Sequence, residues 1–279
     1  MASSPSILVV SRYKPGSFKY SNDDGNDDTK KGSIIIDHIE SKNDKFDTFN
    51  HPRIRRALIL EELGNSDSDM KNVSFQFETP SNLCKDLNSY VETSVTSSNL
   101  IEFLTTSFKK WDQLLIDKAQ DPMCSMVVVN DEKKDNGNDE DDELSPSPPL
   151  IPGNVILHRL PEDQQRPSLS VMGQIGYYCT DTCTPIFQQL YDELLYDASI
   201  MEYAVEAAVA ASSAANAPPT AVYALGTHPG HHAAYDSFGG YCYVNHAAVM
   251  ARLLQKKMQN GEEGVTPKVA ILDVDYVSL

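Results

Sequence analysis

The sequence predicts an α/β fold in which helices cover a parallel sheet. Three observations predict it. Short apolar runs suited to buried strands alternate with segments of helical periodicity. Those runs are apolar on both faces, as strands must be when helices pack on each side. The residues with chemical potential fall directly after strand-like runs, where open α/β sheets carry their sites.

Taken in order, "SILVVS" (Ser6–Ser11) reads as a buried strand. Tyr20–Ser33 is polar, with Gly and Asp throughout, and reads as a flexible insertion. "HPRIRRALILEELGN" (His51–Asn65) predicts a helix with Ile54, Leu58, Leu60 and Leu63 on or near one face and Gly64 as the stop. "NVSFQFET" (Asn72–Thr79) and "CSMVVVN" (Cys124–Asn130) predict strands. Asn130–Gly153 is an acidic run followed by prolines, a second flexible insertion. The alanine-rich stretch 184–215 predicts two helices, with Thr184 as N-cap and Pro185 at the first helical position. "TAVYALG" (Thr220–Gly226) is a strand, Asn245–Gln259 a helix, and "KVAILDVD" (Lys268–Asp275) a strand. The flanks of the insertions are too short to form cores of their own, so residues 1–279 read as belonging to one domain.

The chain has 279 residues, with 23 Lys and Arg against 40 Asp and Glu, a net charge of −17. That balance excludes non-specific nucleic-acid binding, which needs a basic footprint. It suits a cationic partner such as a polyamine or a basic peptide tail, or else it is spread over solvated loops. No apolar run is long enough to span a bilayer, and the start lacks a basic n-region. With five cysteines, few and odd in number, the sequence points to an intracellular protein, cytoplasmic or nuclear, with reduced thiols. Cys179 and Cys183 could form half of a zinc site, but no second pair lies at finger spacing.

Two clusters carry chemistry. In "LGTHPGHHAAYDSFGGYCYVNHAA" (Leu225–Ala248), His231 and His232 follow a Pro-Gly turn at the end of a strand. One imidazole there can hold an attacking water while its neighbour serves the leaving group. The same pair also fits plain surface-loop histidines. The second cluster is Asp273 and Asp275 in "ILDVDY". Positions i and i+2 point to the same side of a strand, so both carboxylates can face one pocket. One could bind a metal and the other orient a histidine.

The tandem-histidine segment and the Asp-x-Asp strand together resemble the zinc-dependent family of histone deacetylases and acetylpolyamine amidohydrolases. Gly239–Tyr243 and Asp273–Tyr276 look closest to the acetylpolyamine amidohydrolase side. "GYYCTDTCTPI" (Gly176–Ile186) and "FNHPRIRRALILEEL" (Phe49–Leu63) also look like segments of that family, which would start the match near His51. The resemblance implies a three-layer α/β/α fold of the arginase/deacetylase type and a zinc cofactor. It implies that His231 and His232 are the catalytic histidines, with Asp273 the partner of His231. Asp275 would be a zinc ligand, and Gly240 and Tyr241 would line the tunnel for the acylated amine. Its substrate would be an acetylated polyamine or acetyl-lysine. His228 stands where the family has a proline, and reads as a packing or rim residue. His246 stands where a second Asn often follows Asn245.

The resemblance breaks after Tyr276. The family has a histidine ligand where this chain has Val277, and its third ligand and oxyanion tyrosine have no counterpart here. One carboxylate cannot hold a catalytic zinc. The expectation is an amino-terminal portion of a deacetylase domain, incomplete in its sheet, binding no zinc and inactive as written. Val277-Ser278 is what a translated intron boundary would encode. The last strand would then dock without its proper neighbours or stay loose. The alternative is a metal-free relative acting as a binding module.

Overall fold

The computed structural model describes residues 6–15, 19–21, 33–35, 52–65, 73–91, 94–120, 147–156, 160, 167–213, 220–259 and 267–274. In chain order the elements are β1 (Ser6–Ser11), β2 (Lys19–Ser21), β3 (Ser33–Ile35), α1 (Pro52–Gly64), β4 (Ser74–Glu78), α2 (Leu87–Tyr90), α3 (Ser98–Gln120), α4 (Val171–Tyr178), α5 (Leu190–Ser213), β5 (Thr220–Leu225) and α6 (His246–Met258). β4, β1 and β5 form a parallel sheet in that order, with Ser6 opposite Ser74 on one side and Thr220 on the other.

The central strand shows why the layers form. Val9 and Val10 are both fully buried, yet successive strand residues point to opposite faces. Val9 clusters with Ala57 and Leu60 of α1, and Val10 with residues of α3, α4, α5 and α6. Helices therefore cover both faces, a three-layer α/β/α arrangement. Each buried valine contributes about 1.5–3 kcal/mol relative to exposure. On α5 the residues Leu190, Leu194, Ala198, Met201, Ala204 and Val205 make one buried stripe. Glu193 and Asp197, one turn apart, are buried with them.

Several expectations need correction. Stretch 184–215 holds one helix, α5, rather than two, and Thr184 caps nothing: its hydroxyl donates to Asp181 while Ile186 pairs with Leu150. In α1, Leu58 is 40% exposed, and Arg53, Arg56, Ala57 and Leu60 turn inward instead. Part of each insertion is ordered. β2 and β3 pair antiparallel at the ends of the first. In the second, Leu150 is buried through two 2.8 Å backbone hydrogen bonds with Ile186, and Pro148 accepts from the Trp111 indole at 2.9 Å. Residues 22–32, 130–146 and the expected strand Cys124–Asn130 lie outside the described residues.

The strand expected from Lys268 has no strand geometry over its described part, 268–274. Ile271, Leu272 and Val274 are 56%, 87% and 84% exposed. A strand needs a partner to satisfy its backbone groups, and this segment has no ladder among the described residues. Asp273 and Pro267 nonetheless tie the segment to His231 and Gln255. Helix α3 had no counterpart in the sequence reading, although its apolar stripe (Leu100, Ile101, Leu104, Phe108, Trp111) has helical spacing.

Candidate functional site

The site is built at the carboxyl end of β5. The chain leaves the strand at Leu225 and is caught at once by α5. Asp197, fully buried, accepts backbone N–H bonds from Thr227 at 2.6 Å and His228 at 3.0 Å. Arg56 donates to the Thr227 hydroxyl. His228 Nε2 lies 2.9 Å from Glu193 Oε2, and the other oxygen of Glu193 lies 2.5 Å from Arg53 Nε. Tyr243 meets the His228 ring edge-on at 5.0 Å. Burial opposes the charge on Glu193, but the His228 hydrogen bond and the charges of His228 and both arginines outweigh it and hold the carboxyl below its ordinary value. Burial likewise lowers the Arg56 pKa, against the pull of Asp197 and Glu193.

Beyond this anchor the chain turns at Pro229-Gly230. A Cβ on Gly230 would sit 3.0 Å from Val244 O and His246 N, so the turn packs directly against the start of α6. Asn245 caps α6 by accepting from Ala248 N at 3.1 Å, and its amide reaches back to Ala233 O at 3.2 Å. His246, buried, lies 3.0 Å from the Tyr90 hydroxyl, and burial pushes its pKa down.

The turn brings the His231 and His232 rings to 4.1 Å between centroids, inclined at 59°. His231 Nδ1 lies 3.2 Å and 3.3 Å from the two oxygens of Asp273. The carboxylate side chain is 61% exposed and that of His231 28%. With Nδ1–H donating to the carboxylate, the neutral ring carries its lone pair on Nε2. Gly240 (φ 56°) and Tyr241 (φ 60°) follow one another in the left-handed region beside His232. A Cβ on Gly240 would collide with the His232 ring, so only glycine fits there. Of the residues singled out from sequence, His231, His232, Asp273 and Gly240 thus converge, with Tyr241 next in the chain. His228 packs against Glu193, Phe187 and Tyr243 rather than joining them. Asp275 lies outside the described residues.

Sequence reasoning missed Asp181, Glu193 and Asp197. The signal for the last two was present: acidic residues beside Leu190, Leu194 and Ala198 on an otherwise apolar stripe. Asp181 accepts from Cys183 N at 2.8 Å, Thr184 N at 2.7 Å, the Thr184 hydroxyl at 2.7 Å and Gly240 N at 2.6 Å. Burial opposes its charge, but these bonds hold its pKa at about 2. Among the described residues no three His, Cys, Asp or Glu side chains assemble as a metal cradle. Cys84, Cys179, Cys183 and Cys242 form no disulfide with one another, and no helix among those residues is long and apolar enough to cross a membrane.

A histidine pair with a carboxylate partner at the carboxyl end of a parallel strand defines a class, the α/β proteins with a strand-end site. Within that class the chain belongs to the histone deacetylase domain family, whose profile matches residues 136–276, just over half of its length. The match begins inside the acidic run, not near His51. The chain is 38% identical over 129 residues to the acetylpolyamine amidohydrolase of Mycoplana ramosa, covering 44% of this chain and 33% of that protein. It is 35% identical over 118 residues to acetylpolyamine amidohydrolase 1 of Pseudomonas aeruginosa, covering 42% and 30%. The alignment thus spans about a third of these curated relatives. The crystal structure of acetylpolyamine aminohydrolase from Burkholderia pseudomallei superposes over 90% of this chain and 53% of its own, with TM-score 0.46 and 17% identity.

Proposed function

We propose that His231, His232 and Asp273 are the proton-handling residues of a zinc-dependent amide hydrolase that removes acetyl groups from acylated amines. The observation that carries this reading is the convergence of Asp273 on His231 Nδ1 at 3.2 Å, with the His232 ring 4.1 Å from that of His231. Amide hydrolysis needs two proton transfers, from the attacking water and to the departing amine. Two adjacent imidazoles can divide them. Asp273 orients His231 and stabilises its imidazolium form. Gly240 and Tyr241 line the approach of the acylated amine.

The substrate is an acetylated polyamine in preference to acetyl-lysine. Both relatives described above bear the polyamine name, and the net charge of −17 favours cations. Zinc is the metal the family implies, and Asp275 is the one position carried over as a ligand.

A chimera tests the site apart from the metal. Residues 220–274 replace the matching segment of the Mycoplana ramosa enzyme, and hydrolysis of N-acetylputrescine and of an acetyl-lysine peptide is measured. The chimera is expected to keep activity within about tenfold and to lose a hundredfold or more on His232→Ala. A folded chimera that is inactive, or one indifferent to His232→Ala, rejects the reading.

A further inference from the structure

The Gly240–Tyr241 turn is closed by backbone hydrogen bonds between Gly239 and Cys242, and both of its central amides are tied to the 181–184 loop. Gly240 N donates to Asp181 Oδ2 at 2.6 Å, and Tyr241 N donates to Thr184 Oγ1 at 3.1 Å. The Thr184 hydroxyl in turn donates to Asp181 Oδ2 at 2.7 Å. Two successive amides in the left-handed region therefore converge on one carboxylate and its satellite hydroxyl. This is the geometry of an anion-binding nest whose anion belongs to the protein itself. For Tyr241 this backbone conformation is intrinsically unfavourable, so something must impose it. Gly239 is fitted to the same wall: a Cβ there would run into Thr180 and Asp181. Just beyond, Gly240 rests against the His232 ring too closely to admit any side chain.

We propose that Asp181 is a positioning residue for the histidine pair: with Thr184 it clamps the Gly240–Tyr241 turn against His232 and so fixes that ring beside His231. The chain of contact runs from carboxylate to Gly240 amide to His232 ring, and no other route among the described hydrogen bonds ties this turn to the 179–184 loop at both amides. Asp181 itself touches neither imidazole, so it acts through the turn. The catalytic meaning rests on the function proposed above; the geometric claim does not.

The test uses residues 1–279 labelled in the histidine rings, with imidazole NMR signals as the readout. Asp181→Asn keeps the size of the side chain but replaces one acceptor oxygen by a donor that faces the Gly240 N–H. The expected result is a shift of the His232 signals and a smaller one of His231, with the buried His228 and His246 unmoved. Amide exchange at Gly240 should accelerate at least about tenfold, the loss of one charge-assisted hydrogen bond. Thr184→Val should give a weaker copy of the shift, and Thr184→Ser, which keeps the hydroxyl, should leave the signals as in the parent. Unmoved His232 signals in a folded Asp181→Asn chain overturn the proposal, as do equal shifts at all four histidines, which mean general loosening. If Asp181→Asn does not fold, the Thr184 pair decides alone. Because no readout is hydrolytic, an inactive chimera together with a shifted His232 in this chain rejects the function and keeps the clamp.

Discussion

The two sides of the histidine pair are anchored very differently. On the β5 side, Asp197, Glu193, Arg53, Arg56 and His228 form a buried cluster of hydrogen bonds and ion pairs behind the turn. On the other side, Asp273 reaches His231 from a segment with no strand partner and with Leu272 and Val274 almost fully exposed. The positions of the two imidazoles are therefore set by the helical layer beneath them. Asp273 is added afterwards, by one half-solvated ion pair. The difference separates what builds the site from what tunes it, and each variant below is expected to affect mainly one.

The largest effect is expected from Asp197→Ala. It leaves two backbone N–H groups buried without their acceptor and removes one of the carboxylate charges that face Arg56. Breaking such a buried arrangement costs about 3–5 kcal/mol. Chemical denaturation of parent and variant measures it; a loss below about 1 kcal/mol would mean that the turn is held elsewhere.

His228→Pro comes next. In this chain the His228 amide donates to Asp197 and its ring to Glu193. Proline has no N–H and no ring nitrogen, so both bonds go. We expect a loss of about 2–4 kcal/mol by denaturation, from one hydrogen bond to each of two buried carboxylates. An unchanged or raised stability would show that the buried histidine contributes no anchoring.

How much of this was legible beforehand follows the same division. The alternation of elements, β1, β4, β5 and α6, and the convergence of His231, His232 and Asp273 could be read because they rest on local patterning and short motifs. The buried anchor could not. Nothing in the spacing of Asp197 from Thr227, or of Glu193 from Arg53, marks them as partners; only the packing of α5 and α1 against the end of β5 brings them together. The last strand failed for the opposite reason. "KVAILDV" has every local property of a buried strand, but strand formation depends on a neighbour, and local propensity supplies none.

The response to acid sharpens the comparison. Asp181 titrates at about 2 in the folded chain against an ordinary 3.8, and the Glu193 carboxyl is also held below its ordinary value. A depressed carboxyl stabilises the fold at pH values above its unfolded pKa and loses that stabilisation as pH falls toward its folded value. Stability should be level from neutrality to about pH 5 and decline from there toward pH 2. In Asp181→Asn the decline between 3.8 and 2 should be shallower, because one of the contributing carboxyls is gone. Since Asp181 is partly exposed, the difference will be modest. Denaturation midpoints collected across that window are the measurement, and parallel curves for parent and variant would contradict it.

The smallest effect on the fold is expected at Asp273. A half-solvated ion pair contributes about 0–1 kcal/mol, so Asp273→Asn should leave the denaturation curve within that range of the parent. The His231 imidazole is where the change should appear. The amide replaces one carboxylate oxygen at His231 Nδ1 by a donor, so the His231 ring signals should shift in the variant, with those of His228 and His246 unaffected. Imidazole NMR of parent and variant under one set of conditions is the measurement. If Asp273→Asn instead unfolds the chain, the exposed segment is part of the scaffold and the two-sided picture of the site fails. If stability holds and His231 is equally unmoved, the 3.2 Å contact carries no electrostatic influence and Asp273 cannot serve as that ring's partner.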